Sequence, residues 1–316
     1  MTDVPFAKYE ATGNDFIVIA ARDLGFERRG GASRARRLVH LARAILARHT
    51  GVGADGLFVV WPPADPKHQA AVQIFNADGS EAEMSGNGIR CAAAWLMDCI
   101  RPRSAFDGQE RLLDPAINLS EIRIETAAGL KELKYQDPKH GETFFRVAMG
   151  KPILEPKQIP FGADGVSAPV VRYPLPTSIG SIEVTVTSMG NPHCSTLLSS
   201  LDDLDWRALG REIERHPLFP NRTNVEFVRA VSRREIEVRF WERGVGETAS
   251  SGTGSSAAAV AAALNGLTDR SVTVKTPGGD LHVKWSSDNQ ILLTGPVRHV
   301  ASGTYEYDDR SDFDPH

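Results

Sequence analysis

No apolar run in this 316-residue chain approaches the roughly 20 residues that a membrane-spanning helix needs. The N-terminal MTDVPFAKYE lacks the basic, apolar and small-residue order of a secretory leader, so none is expected. Cysteine is scarce: Cys91, Cys99 and Cys194 have no metal-ligand spacing and are too few for a disulfide framework. The expectation is a cytoplasmic protein with reduced thiols and no bound metal. A formal net charge of −4 gives no electrostatic reason to expect nucleic acid or an anionic membrane as partner. The basic cluster RRGGASRARR (Arg28–Arg37) is local and reads as a solvated helix face. Two motifs are also missing. Without G-x-x-x-x-G-K-[ST] there is no P-loop, and no serine sits in a G-x-S-x-G nucleophile elbow.

What the chain does have is an internal repeat. VQIFNADGSEAEMSGNGIRCAAAW (Val72–Trp95) aligns without a gap on VRFWERGVGETASSGTGSSAAAV (Val238–Val260), at a constant offset of 166. Ser85-Gly86-Asn87-Gly88 thereby falls on Ser251-Gly252-Thr253-Gly254. Each copy reads as an aromatic-ended strand, a loop, S-G-x-G and an Ala-rich helix. A second pair, ATGNDFIVI (Ala11–Ile19) and SMGNPHCSTL (Ser188–Leu197), places Gly-Asn beside an apolar run at an offset of 177. The differing offsets require extra length between the copies, assigned to the polar segment Ile100–Glu121.

The expected fold is therefore α/β, of the mixed α+β kind, in two pseudo-symmetric domains with the site in the cleft between them. Residues 1–128 plus 298–316 form the first, and 129–297, opening at the turn Ala127–Leu130, form the second. The first N–H groups of a helix lack intrahelical partners and attract anions, although Ser and Gly also serve as ordinary caps and turns. Two such helix starts at one cleft could hold a carboxylate while two side chains flank it. That arrangement suits removing a proton from one face of a carbon and returning it to the other. Gly252–Ala257 also fits the dinucleotide pattern G-x-G-x-x-A, but the strand-like VRFW ends about ten residues too early for it.

These blocks, together with FAKYEATGNDF, RHTGVGADGL, MGNPHC and NRTNVEF, resemble the diaminopimelate epimerases, cofactor-independent members of the amino-acid racemase superfamily. The resemblance covers nearly the whole chain. It implies a curved sheet around a central helix in each domain, a homodimer, and no metal, pyridoxal phosphate or nicotinamide. It also implies interconversion of LL- and meso-diaminopimelate for lysine and peptidoglycan synthesis. The family carries a cysteine in each S-G-x-G slot, whereas this chain carries Ser85 and Ser251. A hydroxyl is a far weaker acid than a thiol and needs an adjacent base. His193 and Glu242 match the family's residues beside the two catalytic positions. Arg243 matches a carboxylate-binding arginine, and Asn14, Asn76, Asn191 and Asn224 match substrate-binding asparagines. Gly86, Asn87, Gly252 and Thr253 are expected to offer backbone N–H groups to the reacting carboxylate. A silenced amino-acid-binding homologue, or a related racemase or dehydratase, stays open beside the epimerase.

Overall fold

The computed structural model describes residues 2–25, 31–100, 120–139, 142–202 and 204–308. Most of the segment assigned to extra length, part of the Arg28–Arg37 cluster and the tail beyond 308 lie outside them. Two compact units divide the chain: Met1–Val147 with Pro296–His316, and Ala148–Gly295.

The first unit runs β1 (Thr2–Ala11), β2 (Asn14–Ala20), α1 (Ala32–Leu46), β3 (Gly56–Trp61), β4 (Ala70–Asn76), β5 (Glu81–Ala82), α2 (Gly86–Ile100), β6 (Glu121–Thr126), β7 (Gly129–Lys139) and β8 (Glu142–Gly150), whose last residues enter the second unit. The second runs β9 (Val170–Thr177), β10 (Gly180–Ser188), β11 (Pro192–Leu197), α3 (Trp206–Glu214), β12 (Asn224–Ser232), β13 (Glu235–Glu242), β14 (Gly246–Thr248), α4 (Gly252–Leu264), β15 (Ser271–Thr276) and β16 (Gly279–Trp285). The last strand, β17 (Ile291–Tyr307), pairs with β16 through its first residues and with β1 through its last.

Strand pairing repeats between the units. β1–β2 is antiparallel, β2–β3 parallel, β3–β4 antiparallel and β4–β6 parallel. β10–β11, β11–β12, β12–β13 and β13–β15 follow the same order of senses. The hairpin β6–β7 then matches β15–β16. This mixed α/β architecture agrees with the fold class expected from the repeat.

The unit border differs from the expected 128/129. The turn at Ala127–Leu130 is the tip of the β6–β7 hairpin, with Thr126 opposite Gly129, and β6 is itself bonded to β4. The hairpin therefore stays with the first unit, as its counterpart β15–β16 stays with the second.

Each sheet buries both faces. In the first unit Ile17, Leu57 and Val59 face Leu38, Leu41, Ala42 and Ile45 of α1, an apolar stripe at helical spacing. The alternating residues Phe16 and Phe58 turn to the other face, where Gly88 of α2 abuts both rings. In the second unit Val186, Cys194, Val225 and Phe227 pack with Trp206, Leu209 and Ile213 of α3, while Val228, Val238 and Phe240 pack with the alanines of α4. α2 from Asn87 to Leu96 and α4 from Gly254 to Ala262 are buried on every face, which small alanine side chains permit. These are the two central helices, and both begin at S-G-x-G.

Candidate active site

Both helix starts are capped by the serine that the repeat singles out. Ser85 Oγ accepts from the Gly88 N–H at 3.0 Å, and the first intrahelical bond runs from Ile89 N to Ser85 O. Ser251, in extended conformation, repeats this: its Oγ accepts from the Gly254 N–H at 3.2 Å, and Ser255 N bonds to Ser251 O. The amides of Gly86 and Asn87, and of Gly252 and Thr253, thus precede the first intrahelical bond, where backbone donors attract an anion. The second glycine of each S-G-x-G is sterically required. A Cβ on Gly88 would collide with Phe58, and one on Gly254 would lie 2.9 Å from Phe240 and 3.0 Å from the Ser251 Cβ.

Around Ser251 the second unit gathers titratable groups. The Glu242 carboxylate accepts from Thr248 Oγ1 at 2.9 Å, and the Ser251 side chain also favours its charged form. Burial is the main influence on Glu242 and pushes its carboxyl above the ordinary range. The Thr248 hydrogen bond, the Ser251 side chain and nearby His193 oppose this without cancelling it, and Glu226 adds to the rise. His193 is fully buried, with Nδ1 2.6 Å from Glu226 Oε1 and Nε2 2.9 Å from Asn191 Oδ1. Ser195 Oγ donates to the second Glu226 oxygen at 3.0 Å.

The turn that follows Glu242 is held from beneath. Asn224 donates from Nδ2 to Pro192 O at 2.9 Å and accepts the Arg243 N–H at 3.0 Å, tying β11 to the turn. Buried Glu214 accepts from Trp241 Nε1 at 2.9 Å and from the Gly244 N–H at 3.0 Å. Arg243 itself is exposed, with Nη1 donating to Asn221 O at 3.1 Å.

In the first unit Asn14 donates to Asp55 Oδ2 at 2.5 Å, and Asn76 donates to Ser80 Oγ at 2.9 Å. Asp78 braces the same turn, accepting from the Ser80 N–H and hydroxyl. Asn87 Oδ1 accepts from Arg90 Nη2 at 3.1 Å. Arg90 is fully buried, also donates to Gly86 O at 3.0 Å, and has its pKa lowered by burial to about 10. Asn14 and Asn76 thus engage their amide NH2 and Asn87 and Asn191 their Oδ1, whereas Asn224 engages both ends of its amide.

The second unit brings Ser251, Glu242, His193 and Asn191 together, with Asn224 and Arg243 at the adjoining turn; the first brings Ser85, Gly86 and Asn87 together at α2. Sequence reasoning missed Glu226, Ser195, Arg90 and Glu214. A signal existed for two of them. Glu226 is a lone carboxylate inside the apolar run NVEFV, and Arg90 is a lone charge in the otherwise apolar GIRCAAAWL. Cys91 and Cys194 are buried and their thiols are pushed well up by that burial, so they are core residues. Among the described residues no group of three or more His, Cys, Asp or Glu side chains is placed to hold a metal ion. Among them no helix is long and apolar enough to cross a membrane.

The family model described as diaminopimelate epimerase matches residues 6–155 and 185–300. The chain belongs to the diaminopimelate epimerase family. It is 40% identical over 296 residues to a diaminopimelate epimerase of Desulfitobacterium hafniense, covering 94% of this chain and 96% of that one. It is likewise 40% identical to one of Pelotomaculum thermopropionicum, covering 96% and 99%. Among solved structures, a phenazine biosynthesis protein of the PhzF family from Bacillus anthracis matches with a TM-score of 0.63 at 16% identity, covering 96% of this chain and 99% of that one. A probable proline racemase from Agrobacterium radiobacter matches with the same TM-score of 0.63 and 16% identity, over 98% and 94%. Those two likenesses speak for the fold.

Proposed function

We propose that this member of the diaminopimelate epimerase family interconverts LL- and meso-diaminopimelate by cofactor-free transfer of an α-proton, with Ser85 and Ser251 in the two acid/base positions. The observation that carries this reading is that Ser251, which caps α4, neighbours Glu242, a carboxylate bonded to Thr248 whose pKa is raised by burial. A serine hydroxyl is too weak an acid to work alone, and a carboxylate with raised proton affinity is the partner it needs. Deprotonation then delivers the substrate proton through the Ser251 oxygen to Glu242, and His193 supplies a second proton-holding group beside them. The amides of Gly86, Asn87, Gly252 and Thr253 receive the carboxylate of the reacting centre, where negative charge builds as the proton leaves. Arg243 takes a carboxylate by paired hydrogen bonds, and Asn14, Asn76, Asn191 and Asn224 read the far ammonium and carboxylate. A homodimer, a cytoplasmic location and the replacement of two family cysteines by serine belong to it through the resemblance.

A second reading, a binder that has lost proton transfer, is favoured by one observation. Phe16 and Phe58 lie against the first turn of α2, at the register positions that His193 and Glu226 hold in the second unit. Incubation with LL-diaminopimelate in deuterated water, followed by proton NMR, separates the two. Deuterium at the α-carbon together with the meso isomer is the expected result. Binding without exchange overturns the epimerase in favour of the binder, and a separate incubation with a β-hydroxylated amino acid that loses water would mark a dehydratase. Restoring Ser85→Cys and Ser251→Cys then measures what the thiols contribute.

A further inference from the structure

The two units share strand register, so each position in one has a counterpart in the other. In the parallel pair β2–β3, Phe16 lies opposite Gly56 and Val18 opposite Phe58. In the equivalent pair β11–β12, His193 lies opposite Asn224 and Ser195 opposite Glu226. The trio Phe16, Val18 and Phe58 of the first unit is therefore replaced in the second by His193, Ser195 and Glu226. Phe16 and Phe58 meet edge-to-face with centroids 5.5 Å apart, an ordinary apolar core contact. The same fold position is thus stable when filled with hydrocarbon.

Against that background the buried polar trio stands out. Glu226 is 1% exposed and His193 is 0% exposed, and a buried ion pair is commonly no more stabilising than an apolar replacement. Both carboxylate oxygens of Glu226 are used, one on the His193 ring and one on the Ser195 hydroxyl. A carboxylate only accepts, so the Nδ1 atom that faces it carries a hydrogen. Nε2 is thereby turned toward Asn191, whose Oδ1 is likewise an acceptor and so faces a hydrogen on Nε2, on the side of a predicted substrate contact. The other titratable groups around the trio are Glu242, which feels both His193 and Glu226, and the Cys194 thiol, which feels Glu226.

We propose that Glu226, braced by Ser195, is a positioning residue that fixes the ring orientation of His193 and holds a hydrogen on its Nδ1. Its effect on turnover rests on the proposed role of His193, but its effect on the ring does not. The test is Glu226→Gln in the full-length protein, labelled with nitrogen-15 on histidine. The His193 ring signals are read by long-range proton–nitrogen correlation, alongside kcat and KM for diaminopimelate. A glutamine amide can donate to Nδ1, so the expected result is loss of the Nδ1 hydrogen while Nε2 keeps the one it presents to Asn191 Oδ1. With it kcat falls roughly 10- to 100-fold, as for other groups that orient a functional histidine, with KM little changed. Glu226→Asp should recover part of both signals. Unchanged His193 ring signals in Glu226→Gln would overturn the proposal. Loss of the Nδ1 hydrogen with unchanged kcat would uphold the positioning of His193 and overturn its role in the reaction. A fold control is the double variant His193→Phe with Glu226→Phe, which copies the first unit's pair. It should fold with an undiminished melting temperature, and failure to fold would make the trio structural and overturn the proposal.

Discussion

Thr248 Oγ1 donates to the Glu242 carboxylate at 2.9 Å across the β13–β14 turn, yet burial still holds that carboxyl above the ordinary range. As a base Glu242 must be ionised, so the acid limb of the activity profile should lie above the roughly pH 4.3 of a free glutamate. Thr248→Val removes one stabiliser of the charge and should move that limb further up. Glu242→Gln should lower the rate of α-proton exchange at least about 100-fold.

The same shift has a stability consequence of definite sign. A carboxyl whose folded-state pKa is raised contributes stability below its unfolded value, and that contribution is lost as pH rises through the folded value. Glu242→Gln should therefore raise the melting temperature at neutral pH and leave it unchanged below about pH 4. Thermal melts at the two pH values check both halves of the expectation.

Glu214 behaves oppositely. Burial raises its pKa, but the hydrogen bonds from Trp241 and Gly244, with Arg215 and Arg222 nearby, outweigh that and lower it overall. Its contribution is complete above the unfolded pKa and lost as pH falls through the folded one. Glu214→Ala should cost about 2–3 kcal/mol at pH 7 by leaving buried donors unmatched, with the deficit shrinking in acid. Urea melts across pH measure this, and a raised KM should accompany it because the turn bearing Arg243 loses its support.

Asp55 receives the Asn14 amide at 2.5 Å and so fixes how that amide is presented. Asp55→Ala should raise KM about tenfold, equivalent to about 1.4 kcal/mol, with a smaller change in kcat. Steady-state kinetics beside a melting curve distinguish this from general destabilisation.

Position 88 accepts only glycine because the Phe58 ring fills the space that a Cβ would need. Gly88→Ala should destabilise the protein by about 1–3 kcal/mol, and a second-site Phe58→Leu should relieve part of the loss. Denaturant titration of the single and double variants checks the coupling.

The amino-acid sequence alone determined the duplication, the mixed α/β class and the two serine-capped helices. All of these are written in spacing along the chain: 166 residues between copies, a Ser with a glycine three residues on, and alanine runs behind them. Local pattern suffices there because helix capping and burial periodicity involve residues only a few positions apart. It misplaced the border at 128/129, since a turn signal says where a hairpin bends but not which sheet receives its strands. The partners of the predicted residues were decided only by tertiary structure. His193 meets Glu226 33 positions away because β11 lies parallel to β12, and Ser195 reaches the same carboxylate for that reason. Strand order and register set which side chains are buried together, and burial in turn sets whether a carboxyl such as Glu242 holds its proton.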